Sequence, residues 1–238
     1  MIGSDDIRGV VTRLLALLDA HSIPYFVMGG LAVPIWGIPR ATFDVDVTLS
    51  IDEHGLTAFL SAAKASGFTI DAARSRPQPE IAASSLPRRR RRASTAPLAG
   101  ALRPPESSRH ATILRPAGTA FETGFRDVLH GMRKLKIEWW TTAGRRVEVD
   151  IFLVTTPFQQ AAFARRVRAR IEDREMWVLT AADLILHKLL ANRPKDLADV
   201  QNLLAVQGVP GAQYLRDWAV RLGVADRLDE AIARATSD

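Results

Sequence analysis

Two aspartates separated by a single valine, Asp44-Val45-Asp46, follow the glycine pair Gly29-Gly30 after a spacer of thirteen residues. Both features suit phosphate chemistry. From Arg40 to Leu49 the even positions are polar or charged and the odd ones apolar, the period-2 signature of a half-buried strand. That pattern predicts Arg40, Thr42, Asp44 and Asp46 on one face. Two carboxylates held side by side repel each other and raise the pKa of one, a cost best offset by a divalent cation between them. Asp-x-Asp on a strand can therefore act as a magnesium bracket. The glycines follow the apolar run Tyr25-Phe26-Val27-Met28 and precede a short helix-like stretch. A triphosphate could approach the main chain there and meet its N–H groups. Arg40 and Thr42 are placed to position phosphate or the water around a metal ion.

Each motif alone has an ordinary reading, the glycine pair as a turn and the aspartates as a solvated strand face. Together they resemble the signature of the DNA polymerase β superfamily of nucleotidyltransferases, in which Gly-Gly or Gly-Ser precedes Asp-x-Asp at about this distance. The resemblance implies an α/β (α+β) fold, a small mixed sheet flanked by helices, with two magnesium ions and an NTP substrate. Such a site needs a third carboxylate from a neighbouring strand, because one pair cannot clamp two ions. Lys134 to Trp140 and Arg145 to Val154 both alternate around Thr141-Thr142-Ala143-Gly144, which predicts an antiparallel hairpin. Asp150, just before a continuous apolar run, is the choice for third ligand and agrees with where the superfamily places it. Glu148 is the reserve, or else pairs with Lys or Arg across the strands.

Downstream, Thr180 and Asp183 stand in the relation that caps a helix N-terminus, and Pro194 sits where proline best opens the next helix. The first of these helices is mostly apolar, with Leu184, Leu186, Leu189 and Leu190 as core material. Lys188 rides on it and needs a carboxylate or phosphate near its ammonium. The Lys-Leu-x-Ala-x-Arg-x-Lys-Asp-x-x-Asp arrangement from Lys188 to Asp199 resembles AbiEii-type bacterial nucleotidyltransferases. That likeness implies Lys188 as the phosphate-binding cation and Asp196 as a polar partner near the nucleotide. Asp199 could belong to the site, or Lys195-Asp196 and Asp199 could form a solvated helix start. His187 reads as a helix-face residue.

From Ala72 to Gly118 the chain carries ten arginines, no lysine, two glutamates and seven of the thirteen prolines. This stretch is +8 while the whole chain is +6, so the remainder sums to −2. A basic surface on the folded body is not expected. Three readings stand for this stretch: a disordered arm, an arginine-rich tether for RNA phosphates, or GC-rich coding sequence read out of frame.

The 238 residues, 47% hydrophobic, can bury a full core. Zero cysteines exclude disulfides and thiolate metal sites and suit a reducing cytoplasm. No secretory signal or membrane-spanning run is expected. Residues 1–179 read as the catalytic domain and 180–238 as a helical part. Helices are predicted over 5–20, 53–66 and 158–164, and over 214–222 and 225–235 near the end; Val167 to Leu179 should form a further hairpin. Trp139, Trp140, Trp177 and Trp218 read as packing residues. The acceptor could be a tRNA end, a protein side chain or a small-molecule hydroxyl, and a cognate antitoxin is a possible partner. The alternative from another class is a catalytically inactive nucleotide- or RNA-binding partner protein.

Overall fold

A computed structural model describes residues 4–70, 126–128, 132–171 and 174–236. The stretch from 72 to 118 lies outside these residues, and so do all three readings of it. Helix α1 (Ser4–Ala20) leads into β1 (Tyr25–Met28), α2 (Gly29–Trp36), β2 (Asp44–Leu49), α3 (Glu53–Ala65) and β3 (Thr69–Ile70). Strands β4 (Arg126–Val128), β5 (Met132–Trp140) and β6 (Arg146–Leu153) follow, then α4 (Pro157–Arg165), β7 (Val167–Ile171) and β8 (Arg174–Val178). Only helices come after: α5 (Ala181–Ala191), α6 (Pro194–Gln207), α7 (Ala212–Arg221) and α8 (Ala225–Ala235).

One mixed sheet carries the strands in the order β3-β5-β6-β2-β1-β8-β7, with β4 paired to the outer part of β5. β5 and β6 form the antiparallel hairpin expected from their alternation, Leu135 opposite Ile151 and Ile137 opposite Val149. β2 runs parallel to β6 and antiparallel to β1. The odd residues Val45, Val47 and Leu49 of β2 and Val147, Val149 and Ile151 of β6 join α1 and α3 in one apolar core. The even residues of both strands must then face the other way. On that second face Phe26, Met28 and Phe152 pack with α5 to α8. Sheet polarity thus delivers every acidic residue of β2 and β6 to the side covered by α5 and α6.

Helix α5 is buried almost all round, as expected of a central helix rather than an amphipathic surface one. Leu184, Ile185, Leu186 and Leu189 are wholly inaccessible, each contributing about 1.5–3 kcal/mol over an exposed position. Thr180 caps it, accepting from the Asp183 N–H. Asn192, in the left-handed region at φ 52°, ends it, and Pro194 opens α6 two residues later. This tight joint fixes the two helices against each other.

Two expectations need correction. The strand predicted from Arg40 begins only at Asp44, because among the described residues no strand pairs with Arg40 to Phe43 and the apolar Phe43 is 52% exposed. Trp140, expected to pack, is 53% exposed beside the β5–β6 turn. Trp139 does pack, its ring 4.9 Å from that of Phe68, as does Trp218 against Phe158 at 5.3 Å. No described helix is long and apolar enough to cross a membrane.

Candidate active site

The parallel register of β2 and β6 sets Asp46 beside Asp150 and Asp44 beside Glu148. Adjacent strands lie about 4.8 Å apart, so the four acidic side chains leave one face as two neighbouring pairs. On the other side of β2, Asp46 is opposite Met28, and the chain turns at Gly29 with φ +64°. A Cβ on Gly29 would lie 1.9 Å from Asp46 Oδ2, and one on Gly30 would lie 2.3 Å from Thr42 Oγ1. Neither position accepts a side chain. Thr42 donates to Asp44 Oδ1 at 2.9 Å and so orients that carboxylate. Burial, reinforced by Asp44 and Asp150, pushes the Asp46 carboxyl up to about 7.

Asp150 is held by Lys134, whose ammonium lies 2.6 Å from Oδ2, with Lys136 3.7 Å from Oδ1. Lys136 also pairs closely with Glu148, which takes a second contact from Arg146 at 3.1 Å. Glu148 therefore behaves as the cross-strand ion pair that the alternation allowed. Among the described residues no group of three His, Asp or Glu side chains is gathered closely enough to hold an ion as it stands. The donor chemistry nevertheless fits a hard divalent cation. The set is all oxygen, Asp46 is raised by burial and by the neighbouring carboxylates Asp44 and Asp150, and among the described residues nothing donates a hydrogen bond to the buried Asp150 Oδ1.

Lys188 crosses from α5 to two carboxylates of α6, Asp196 Oδ1 at 3.0 Å and Asp199 Oδ2 at 2.7 Å. Both aspartates are buried, which overturns the solvated helix start. Arg40 closes the network with Nε 2.6 Å from Asp199 Oδ1 and Nη2 2.7 Å from Oδ2. Its guanidinium thus serves Asp199 rather than the Asp-x-Asp face. Arg193 reaches Asp196 Oδ2 with Nε at 2.5 Å. Burial alone would raise both aspartates, but hydrogen bonds from Arg193, Arg40 and Lys188 outweigh it and hold them below the ordinary carboxylate range. Gly29, Asp46, Lys134, Lys188, Arg193 and Asp196 all border one cavity of about 220 Å³.

The geometry accords with what is found in sequence. The family model described as nucleotidyl transferase AbiEii toxin, type IV TA system, matches residues 13–236. The chain belongs to the AbiEii nucleotidyltransferase toxin family. No curated protein matches it. Among solved structures, this AbiEii nucleotidyltransferase is similar to an antigenic nucleotidyltransferase-like protein from Paracoccidioides brasiliensis, at 18% identity and TM-score 0.48, over 98% of this chain and 94% of that one. It is also similar to JHP933 from Helicobacter pylori, at 12% identity and TM-score 0.41, over 99% and 82% of the two chains.

Three features of the AbiEii chain's site escape sequence reasoning. Lys134 looked like one more polar residue of an alternating strand, yet it meets Asp150. His187, read only as a helix-face residue, is buried: its ring lies 4.8 Å from that of Phe158, and burial, with Lys188 adjoining, lowers it to about 4. It borders the same cavity. Asp183, recognised only as a cap residue, also accepts from Tyr214 at 2.6 Å and ties α7 to α5. A buried acid on an otherwise apolar helix is the signal that could have flagged it.

Proposed function

We propose that this nucleotidyltransferase moves a nucleoside monophosphate from an NTP to a hydroxyl acceptor in a magnesium-dependent reaction that releases pyrophosphate. The observation that carries this reading is the register match of Asp46 with Asp150 across β2 and β6, facing the helix that bears Lys188. Asp44, Asp46 and Asp150 would hold two magnesium ions, which would supply neutralisation of the triphosphate and of the departing pyrophosphate. Gly29 and Gly30 leave the main chain bare, so the phosphates can lie against its N–H groups. Thr42 keeps Asp44 in one orientation.

In the transfer, the acceptor oxygen bonds to the α-phosphorus while the bond from that phosphorus to the bridging oxygen breaks. Asp150 takes the acceptor's proton, and pyrophosphate leaves with the bridging electrons. Lys188 and Asp196, paired at 3.0 Å and flanked by Asp199 and Arg193, would border the nucleotide and set the electrostatics of its pocket. Residues 1–179 form the catalytic unit in this reading, and 180–238 the helical part that completes it. Working in the cytoplasm with a cognate antitoxin as counterpart fits the type IV toxin–antitoxin family.

Incubation with magnesium and each α-labelled NTP, with and without tRNA, tests the reading. Label should pass to RNA or to another hydroxyl acceptor, and Asp44→Ala should abolish transfer. Absence of transfer with every NTP and acceptor class would remove the reading.

A further inference from the structure

We propose that Lys134 is an additional catalytic residue, a cation held on Asp150 in the resting protein and passed to the polyphosphate of the donor nucleotide when Asp150 is engaged. The proposal rests on the nucleotidyl-transfer reading and adds to it a residue that lies in neither motif.

Among the described residues three cations border the cavity, Lys134, Lys188 and Arg193. Two of them are committed elsewhere. Lys188 is 4% exposed and sits between two carboxylates at 2.7 and 3.0 Å. Turning it toward a phosphate would strand Asp196 and Asp199 in the interior, the costly half of breaking a buried pair. Arg193 is fastened to buried Asp196 through both Nε and Nη2.

Lys134 stands differently. Its side chain is 27% exposed, and among the described residues its carboxylate contact is Asp150 at 2.6 Å. Its ammonium also lies over the Phe152 ring, 5.7 Å from the centroid. A lysine ammonium is a compact charge on a flexible stem, with three donors that can be redirected without breaking a planar fork. Among the described residues, Asp150 is the acid of the proposed metal set in direct ion-pair contact with a lysine. Lys134 would give up Asp150 to a divalent cation competing for the same oxygens. The released ammonium stays in the cavity, where the negative charge of the polyphosphate arrives and where charge builds on the leaving pyrophosphate.

This exchange has a signature of opposite signs. Full-length Lys134→Gln should bind Mn²⁺ alone severalfold more tightly than the natural protein, by loss of the unbound Mn²⁺ resonance signal, because a competitor for Asp150 is gone. With Mn²⁺ at saturation, the same variant should bind inorganic tripolyphosphate about tenfold more weakly than the natural protein, through the loss of one charge-assisted contact. Lys134→Arg should keep tripolyphosphate binding within about threefold. A lysine that merely supported β5 would weaken both ligands together, and that result overturns the proposal, as does unchanged tripolyphosphate binding in Lys134→Gln. If the natural protein binds neither Mn²⁺ nor tripolyphosphate, the nucleotidyl-transfer reading of the site itself fails. Circular-dichroism melting separates these outcomes from unfolding, and Lys134→Arg supplies a second test should the glutamine variant not fold.

Discussion

A methyl group placed on Gly29 would lie 1.9 Å from the Oδ2 of Asp46. The glycine pair and the Asp-x-Asp motif, fifteen or so residues apart in the chain, are thus a single unit. β1 and β2 are antiparallel neighbours with Met28 opposite Asp46, so the turn after β1 arrives directly over the carboxylate.

Gly29→Ala should accordingly fail twice. It places a Cβ in the left-handed region at φ +64°, which costs about 1–2 kcal/mol, and it drives Asp46 from its position. The melting temperature should fall by several degrees and nucleotide binding should drop by at least tenfold. Thermal melts and titration calorimetry check both; an alanine variant that keeps natural affinity would detach the glycine from the site.

Acid–base behaviour offers a second test, because Asp46 and His187 pull in opposite directions. The folded protein holds a proton on Asp46 up to about pH 7, which the unfolded chain has released near 3.8. Asp46 therefore removes stability as pH rises through that window. His187, lowered by burial and by Lys188 from 6.5 to about 4, stays neutral in the fold while the unfolded chain takes up a proton. It removes stability as pH falls through its own window. In the natural protein the two slopes offset. Asp46→Asn should unmask the His187 slope, with urea-unfolding free energy rising by about 1–3 kcal/mol between about pH 4.5 and 6.5. His187→Leu should unmask the reverse slope. Identical profiles for all three proteins would contradict the opposite shifts of Asp46 and His187.

Lys188 carries a heavier structural duty than a surface lysine. Lys188→Met leaves Asp196 and Asp199 short of a cation in the interior and should cost about 3–5 kcal/mol in urea unfolding. Pairing it with Asp199→Asn should restore part of that loss, since Arg193 still serves Asp196. A double variant no more stable than Lys188→Met alone would show that the network does not act as one unit.

What could be read from the sequence was what depends on periodicity. Alternation in β5 and β6 predicted their hairpin, and continued parity placed Asp150 on the face opposite Val149 and Ile151. The cap at Thr180 and the proline at 194 marked the α5–α6 joint because both act within a single turn. What could not be read depends on pairing between distant segments. Alternation from Arg40 looked like strand, yet strand requires a neighbour, and β6 pairs no residue of β2 before Asp44. Nothing local distinguishes Lys134 from Lys136; the register sets Lys136 opposite Asp150 and Lys134 opposite Phe152, yet the side chains reach diagonally, Lys134 to Asp150 and Lys136 chiefly to Glu148. Arg40 sits two residues before Thr42, which suggested a shared face, but Asp199 of α6 captures it.

The central claim is that Asp150, and not Glu148, completes the acidic set with Asp44 and Asp46. Pyrophosphate release from an NTP in magnesium, followed for the natural protein, Asp150→Ala and Glu148→Gln, tests it most directly. Asp150→Ala should lose at least a hundredfold in rate, of the order expected for removing a principal electrostatic or proton-accepting group, while Glu148→Gln should stay within about threefold. Near-natural release by Asp150→Ala would contradict the account.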